Sequence, residues 1–152
     1  MVKRDHGSGP LSVRSDAPIK KARAASVVTW VYVAGFGLPA VPVAVYLVKK
    51  GRLPSFLGLF EMYGGPWSAA LEPNTFAIVL VGFFVLTAAT AWAAWKVWKG
   101  LKTGAVILLA LLAVQSVFWV GFALPFTWPA GIAAAVLLAL GWKDLKPAER
   151  AG

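Results

Sequence analysis

Glu61 and Glu72 are the only carboxylates that lie away from the ends of the chain; Asp5, Asp16, Asp144 and Glu149 all fall near a terminus. Two carboxylates can divide acid and base roles, provided the fold holds both within hydrogen-bond reach of the reacting group. These two stand eleven residues apart with Gly64-Gly65-Pro66 between them, a spacing from which no catalytic pair follows. His6 is the single histidine, and one imidazole makes no ligand set. The absence of cysteine excludes disulfides, thiolate metal sites and Cys nucleophiles. HExxH, a phosphate-cradling glycine loop followed by Lys-Ser/Thr, and a Ser-His-Asp set are also missing. No catalytic residue, metal or cofactor is expected, and the chain does not read as an enzyme. A lipid-processing activity using Glu61 at the membrane surface is the one enzymatic alternative.

The composition explains why polar chemistry is scarce. Of 152 residues, 59% are hydrophobic and 14% charged, against about 25% charged in soluble domains. Mean hydropathy is +0.72. No charge falls between Pro73 and Trp95 or between Thr103 and Trp142, and charge-free runs of about 20 residues belong in a bilayer. The expected fold is an all-α integral membrane protein. Four transmembrane helices form an antiparallel bundle, with a short amphipathic interfacial helix between the first and second. The spans are placed at 26–48, 75–95, 104–124 and 126–142, with an outer loop at 49–74. Residues 1–25 read as a disordered basic tail and 143–152 as a second tail.

Within this frame a few residues stand out. The first span carries Gly35, Gly37, Pro39 and Pro42, a candidate hinge, because each proline removes a backbone donor and crowds the preceding turn. In the outer loop, Phe56, Leu59, Phe60 and Tyr63 repeat at helical spacing, with Gly58, Glu61 and Met62 opposite. Phe56, Phe60, Glu61, Tyr63 and Trp67 form a candidate outer contact surface. Gln115 and Ser116 lie in the middle of the third span, where an amide seeks a partner across helices. Trp92, Trp95 and Trp98, interleaved with Lys96, Lys99 and Lys102, read as anchors at the headgroup level.

Net charge is +9, and the basic residues flank apolar spans, which points to anionic lipid on the cytoplasmic side and not to nucleic acid. With both termini inside, twelve of the fifteen Lys and Arg residues are cytoplasmic; Lys49, Lys50 and Arg52 remain outside. The heavy use of Ala, Gly and Trp points to a GC-rich bacterial genome, and the expected location is a bacterial plasma membrane. Two roles are compatible with this pattern. The favoured one is a structural or accessory subunit that docks a membrane-protein partner or further copies of itself. The alternative is an oligomeric channel or transporter component built on the kinked first helix and Gln115.

Overall fold

The computed structural model describes residues 17–147. The fold is mostly helical (76%). Three helical stretches are long and apolar enough to cross a membrane: Lys20–Lys50, Pro73–Trp98 and Lys102–Gly121. A shorter apolar helix covers Thr127–Leu140.

The first stretch is broken into α1 (Ala17–Tyr32), a π-helical segment (Val33–Gly37) and α2 (Ala40–Lys50). Pro39 has no N–H to return to the Gly35 carbonyl, and the Leu38 N–H reaches back five residues to Val33 at 3.1 Å. The break therefore falls among the glycines and prolines singled out above. Helix α1 begins ahead of the expected Ser26, which corrects the reading of residues 17–25 as disordered tail. Ala17, Ala22, Ala24 and Ala25 are strong helix formers, and Ala22 and Ala25 are buried. The remainder of that tail, His6 included, lies outside the described residues.

Between α2 and the next long helix the chain departs from expectation. No amphipathic helix forms over Leu53–Tyr63. A hairpin does, with β1 (Ser55–Phe56) antiparallel to β2 (Phe60–Glu61) and Phe56 opposite Phe60. An isolated helix this short is marginal, and Gly58 would weaken its middle. Cross-strand pairing instead brings the Phe56 and Phe60 rings to 5.6 Å. The Met62 N–H closes the base on the Pro54 carbonyl at 2.9 Å. Helix α3 (Pro66–Ala70) follows, with proline at its first turn.

Helices α4 (Pro73–Trp98) and α5 (Lys102–Gly121) pack along each other, joined by a turn in which Gly100 supplies a φ of +80°. The other main contacts are of α4 with α1 and α2, and of α6 (Thr127–Leu140) with α1. The short Pro-bearing connection predicts α5 and α6 as close neighbours; α6 instead makes its broader contact with α1. At Gly131 an added Cβ would overlap the Trp119 ring, so the indole of α5 separates the two helices there. The start of the C-terminal segment is also folded. Trp142–Asp144 makes a 3-10 turn, and Lys146 exchanges backbone bonds with Gly100 and Lys102 at 2.8 and 3.0 Å.

Phe76, Leu80, Phe83, Leu108, Phe122 and Leu138 are fully buried. Polar side chains inside this core are satisfied mainly by backbone carbonyls. Ser26 Oγ donates to Ala94 at 2.8 Å and Trp30 Nε1 to Ala91 at 3.2 Å, tying α1 to α4. Such bonds relieve the cost of a buried polar group where no water competes.

Candidate functional site

The hairpin, the π-helical break and the α5–α6 connection converge on a cavity of about 450 Å³. Gly35 and Phe36 of the break form one side. Phe56, Phe60, Glu61, Met62, Tyr63 and Gly64 form a second, and the connection from Phe122 to Phe126 closes the third. Pockets of about 300–1,000 Å³ with mostly apolar walls and a few polar groups are the usual form of small-ligand sites.

Tyr63 fastens this arrangement. Its hydroxyl donates to the Phe36 carbonyl. Its ring meets Phe122 edge-on at 5.4 Å and Phe83 at 6.3 Å. Burial pushes the Tyr63 phenol well above its usual pKa, with Tyr32 adding to the effect, so the hydroxyl stays a donor. Phe122 is the centre of the cluster: Trp67, Phe76, Phe83 and Phe118 also stand 5.2–5.8 Å from it. Aromatic pairs of this kind contribute about 0.5–1.5 kcal/mol each beyond the area they bury. Trp67 also rests on Gly121, where an added Cβ would overlap its indole, and Gly65 lies against the Gly121–Ala123 backbone. The hairpin and α3 together form a cap, held to the end of α5 by side chains and backbone together.

Strain collects here as well. Among the described residues, three non-glycine residues have positive φ: Leu57 at the hairpin tip, and Tyr63 and Ala123 in two of the cavity walls.

Four of the five residues expected in an outer contact surface line the cavity, but they differ in exposure. Phe56, Phe60 and Glu61 are exposed, whereas Tyr63 is buried and so is no contact residue. Trp67 is half-buried behind the cavity and does not line it. Phe36, Phe122 and Phe126 were not singled out by sequence. Phe36 lies between the hinge glycines Gly35 and Gly37, and Phe122 and Phe126 are marked only by the Pro-bearing turn that follows Phe122, which reads as a connection and gives no hint that it faces the hairpin.

Away from this site, Gln115 is fully buried and its Nε2 donates to Thr90 Oγ1 at 2.7 Å, a contact between α5 and α4. Its Oε1 meets no donor among the described residues. Ser116 turns back to Ala113 of its own helix at 2.7 Å and makes no interhelical bond, because its hydroxyl is close enough to satisfy that carbonyl first. Gly37 approaches Thr87 so closely that an added Cβ would lie 2.5 Å from Oγ1. At the opposite end of the fold, Lys96 and Lys99 lie over Trp92 and Trp95 at 4.0 and 3.7 Å. Arg23 lies over Trp98 at 5.3 Å, and Trp30 flanks the same indole at 5.5 Å. Lys102 opens α5.

No family model matches the chain, and no curated protein or solved structure matches it either. Among the described residues, no three His, Asp or Glu side chains come together as a metal site would require.

Proposed function

We infer that the chain is a four-span plasma-membrane protein with both termini cytoplasmic, acting as an accessory subunit that presents its hairpin module to a membrane-protein partner on the outer face. The observation that carries the role is the hairpin tip. Leu57 and Leu59 are about four-fifths exposed, with Phe56 and Phe60 half-exposed beside them. Apolar patches held in the open on a firmly seated element mark protein or lipid contacts. The cap that bears them is fixed by Tyr63 and Trp67, so the tip is offered in one orientation.

Helix α6 has 14 residues, about 21 Å of helix, and supports a fourth span only with its flanks. Trp128 and Trp142 stand at its two ends, where interfacial indoles are favoured on both sides of a bilayer. For the orientation, the Lys–Trp pairs of Lys96 and Lys99 support a headgroup position at the cytoplasmic end, next to the basic start of α1.

Gln115 supports the accessory reading over the channel alternative. It is bonded to Thr90 in the core and does not line the cavity beside the hairpin.

Two measurements test the proposal. A membrane-impermeant maleimide applied to intact cells should label Ser55→Cys and spare Thr103→Cys; the reverse pattern would refute the orientation. Gentle extraction should yield a complex with a second protein in fixed stoichiometry, and Leu57→Ser with Leu59→Ser should release it while the helices stay folded. A lone monomer with or without those changes would end the subunit reading.

A further inference from the structure

Beyond its exposed tip, the hairpin encloses a cavity whose chemistry is one-sided. Its only charged lining residue is Glu61, which has no ion-pair partner among the described residues. The carboxylate folds back over the backbone of the cavity wall: a Cβ added at Gly64 would lie 3.5 Å from Glu61 Oε2. Phe56, Phe60 and Phe126 line the same cavity, with Phe126 73% exposed. The one lining hydroxyl, Tyr63, is already committed to the Phe36 carbonyl. The side chains thus offer a negative charge and aromatic rings, and no free donor. An anion would find repulsion, and a neutral hydrogen-bond acceptor would find no free side-chain donor. A cation with an apolar body finds a counter-charge and ring electrons in one enclosure, the combination by which aromatic sites hold quaternary ammonium groups. The volume of about 450 Å³ admits a group larger than a bare ammonium ion.

We propose that the cavity between the hairpin and the α5–α6 connection binds an organic ammonium group carried on an apolar body, with Glu61 as its counter-ion and Phe56, Phe60 and Phe126 as its ring contacts. This goes beyond the docking role of the tip and holds whether or not Leu57 and Leu59 meet a partner. The ammonium can come from a free amphiphilic amine or from a choline-type lipid headgroup. Either source presents the same chemistry to Glu61.

The test is calorimetric titration of the purified full chain, in a maltoside micelle, with benzyltrimethylammonium. The expected result is saturable binding of one cation per chain, weakened about tenfold by Glu61→Gln and about threefold by Phe56→Leu, with benzenesulfonate not bound. Phe126→Leu, on the opposite wall, should weaken binding to a similar degree and reports independently if a hairpin variant misfolds. Equal affinity in Glu61→Gln, binding of benzenesulfonate, or no saturable binding would overturn the proposal. In a wild-type chain that binds, competition by added phosphatidylcholine identifies a lipid headgroup as the source. Undiminished binding in its presence identifies a free amine.

Discussion

Replacing Gln115 with leucine will leave the protein as stable as before, or more stable by about 1 kcal/mol. The side chain sits fully buried with one half of its amide bonded and the other half bare: Nε2 donates to Thr90 at 2.7 Å, while Oε1 has no donor among the described residues. A cross-helix bond inside a membrane protein contributes about 0.6 kcal/mol on average and about 1.7 at most. A buried carbonyl with no partner costs about 1–3 kcal/mol. Leucine has a similar volume and removes both terms, so the relieved penalty equals or exceeds the lost bond. Thr90 is not stranded, because its own hydroxyl donates to the Leu86 carbonyl at 2.8 Å.

The reverse deletion has the opposite sign. Thr90→Val leaves both amide atoms of Gln115 without partners and should destabilise by about 1–3 kcal/mol. In the Gln115→Leu background the same change should cost little, since nothing remains to orphan. The assay is reversible unfolding from bicelles of the four chains in a double-mutant cycle, with an expected coupling of about 1–3 kcal/mol, the cost of Thr90→Val that vanishes once Gln115 is gone. A loss of more than about 2 kcal/mol in Gln115→Leu alone would refute the reasoning. It would mean that Oε1 has a partner in the membrane, from a second copy or a bound polar group, and the channel reading would gain.

Gly131→Ala forces a methyl into the Trp119 ring and should cost about 1–3 kcal/mol in the same unfolding assay. Gly82→Ala, where an added Cβ meets nothing within 4 Å, should be neutral or stabilise by about 0.5–1 kcal/mol; equal losses at both sites would contradict the close packing at Gly131. Tyr63→Phe removes the donor to the Phe36 carbonyl and should destabilise by about 1–3 kcal/mol, with faster amide exchange in the hairpin. Because burial raises the folded-state pKa of Tyr63 above its ordinary 10.0, its contribution is fully present below pH 10 and falls as the pH rises beyond it. The alkaline loss of stability should therefore be shallower in Tyr63→Phe than in the wild type, and identical pH profiles would refute the assignment.

The long apolar helices were legible because a bilayer imposes a crude rule: about 20 residues without charge. Pro73–Trp98 and Lys102–Gly121 begin or end within a few residues of where charge appears in the sequence. The position of the helix break was legible for an equally local reason, the missing N–H groups of Pro39 and Pro42. The outer loop was not. Phe56, Leu59, Phe60 and Tyr63 fit a helical face, yet over so few residues the same pattern also suits a hairpin. What decides is tertiary: the Phe56–Phe60 pair, and a buried place for Tyr63 beneath Phe122. The partnership of α1 with α6 was equally hidden, since it depends on Ala22 and Ala25 facing inward from a segment that reads as a charged tail. The cavity depends on the first of these long-range outcomes, the seating of the hairpin against the end of α5. Glu61 was conspicuous by its charge, but its aromatic surroundings come from three separate places in the chain.

The positions of the strained residues give that cavity a weight its volume alone does not. A non-glycine residue at positive φ costs about 1–3 kcal/mol and persists only where the surroundings over-determine it. Tyr63 and Ala123 both pay that cost, on opposite sides of one cavity. Neither is needed to bury apolar surface in a generic loop. Tyr63 at a φ of +59° reaches the carbonyl of Phe36, inside the break that Pro39 creates, and so ties the cap to the first helix. Ala123 at +49° turns the chain directly after Phe122, leaving that ring in the core while Phe126 comes to the cavity mouth. The aromatic cluster around Phe122 supplies the offsetting attraction. A break, a cap and a turn that each cost free energy alone are thus closed around the same aromatic enclosure and its single carboxylate.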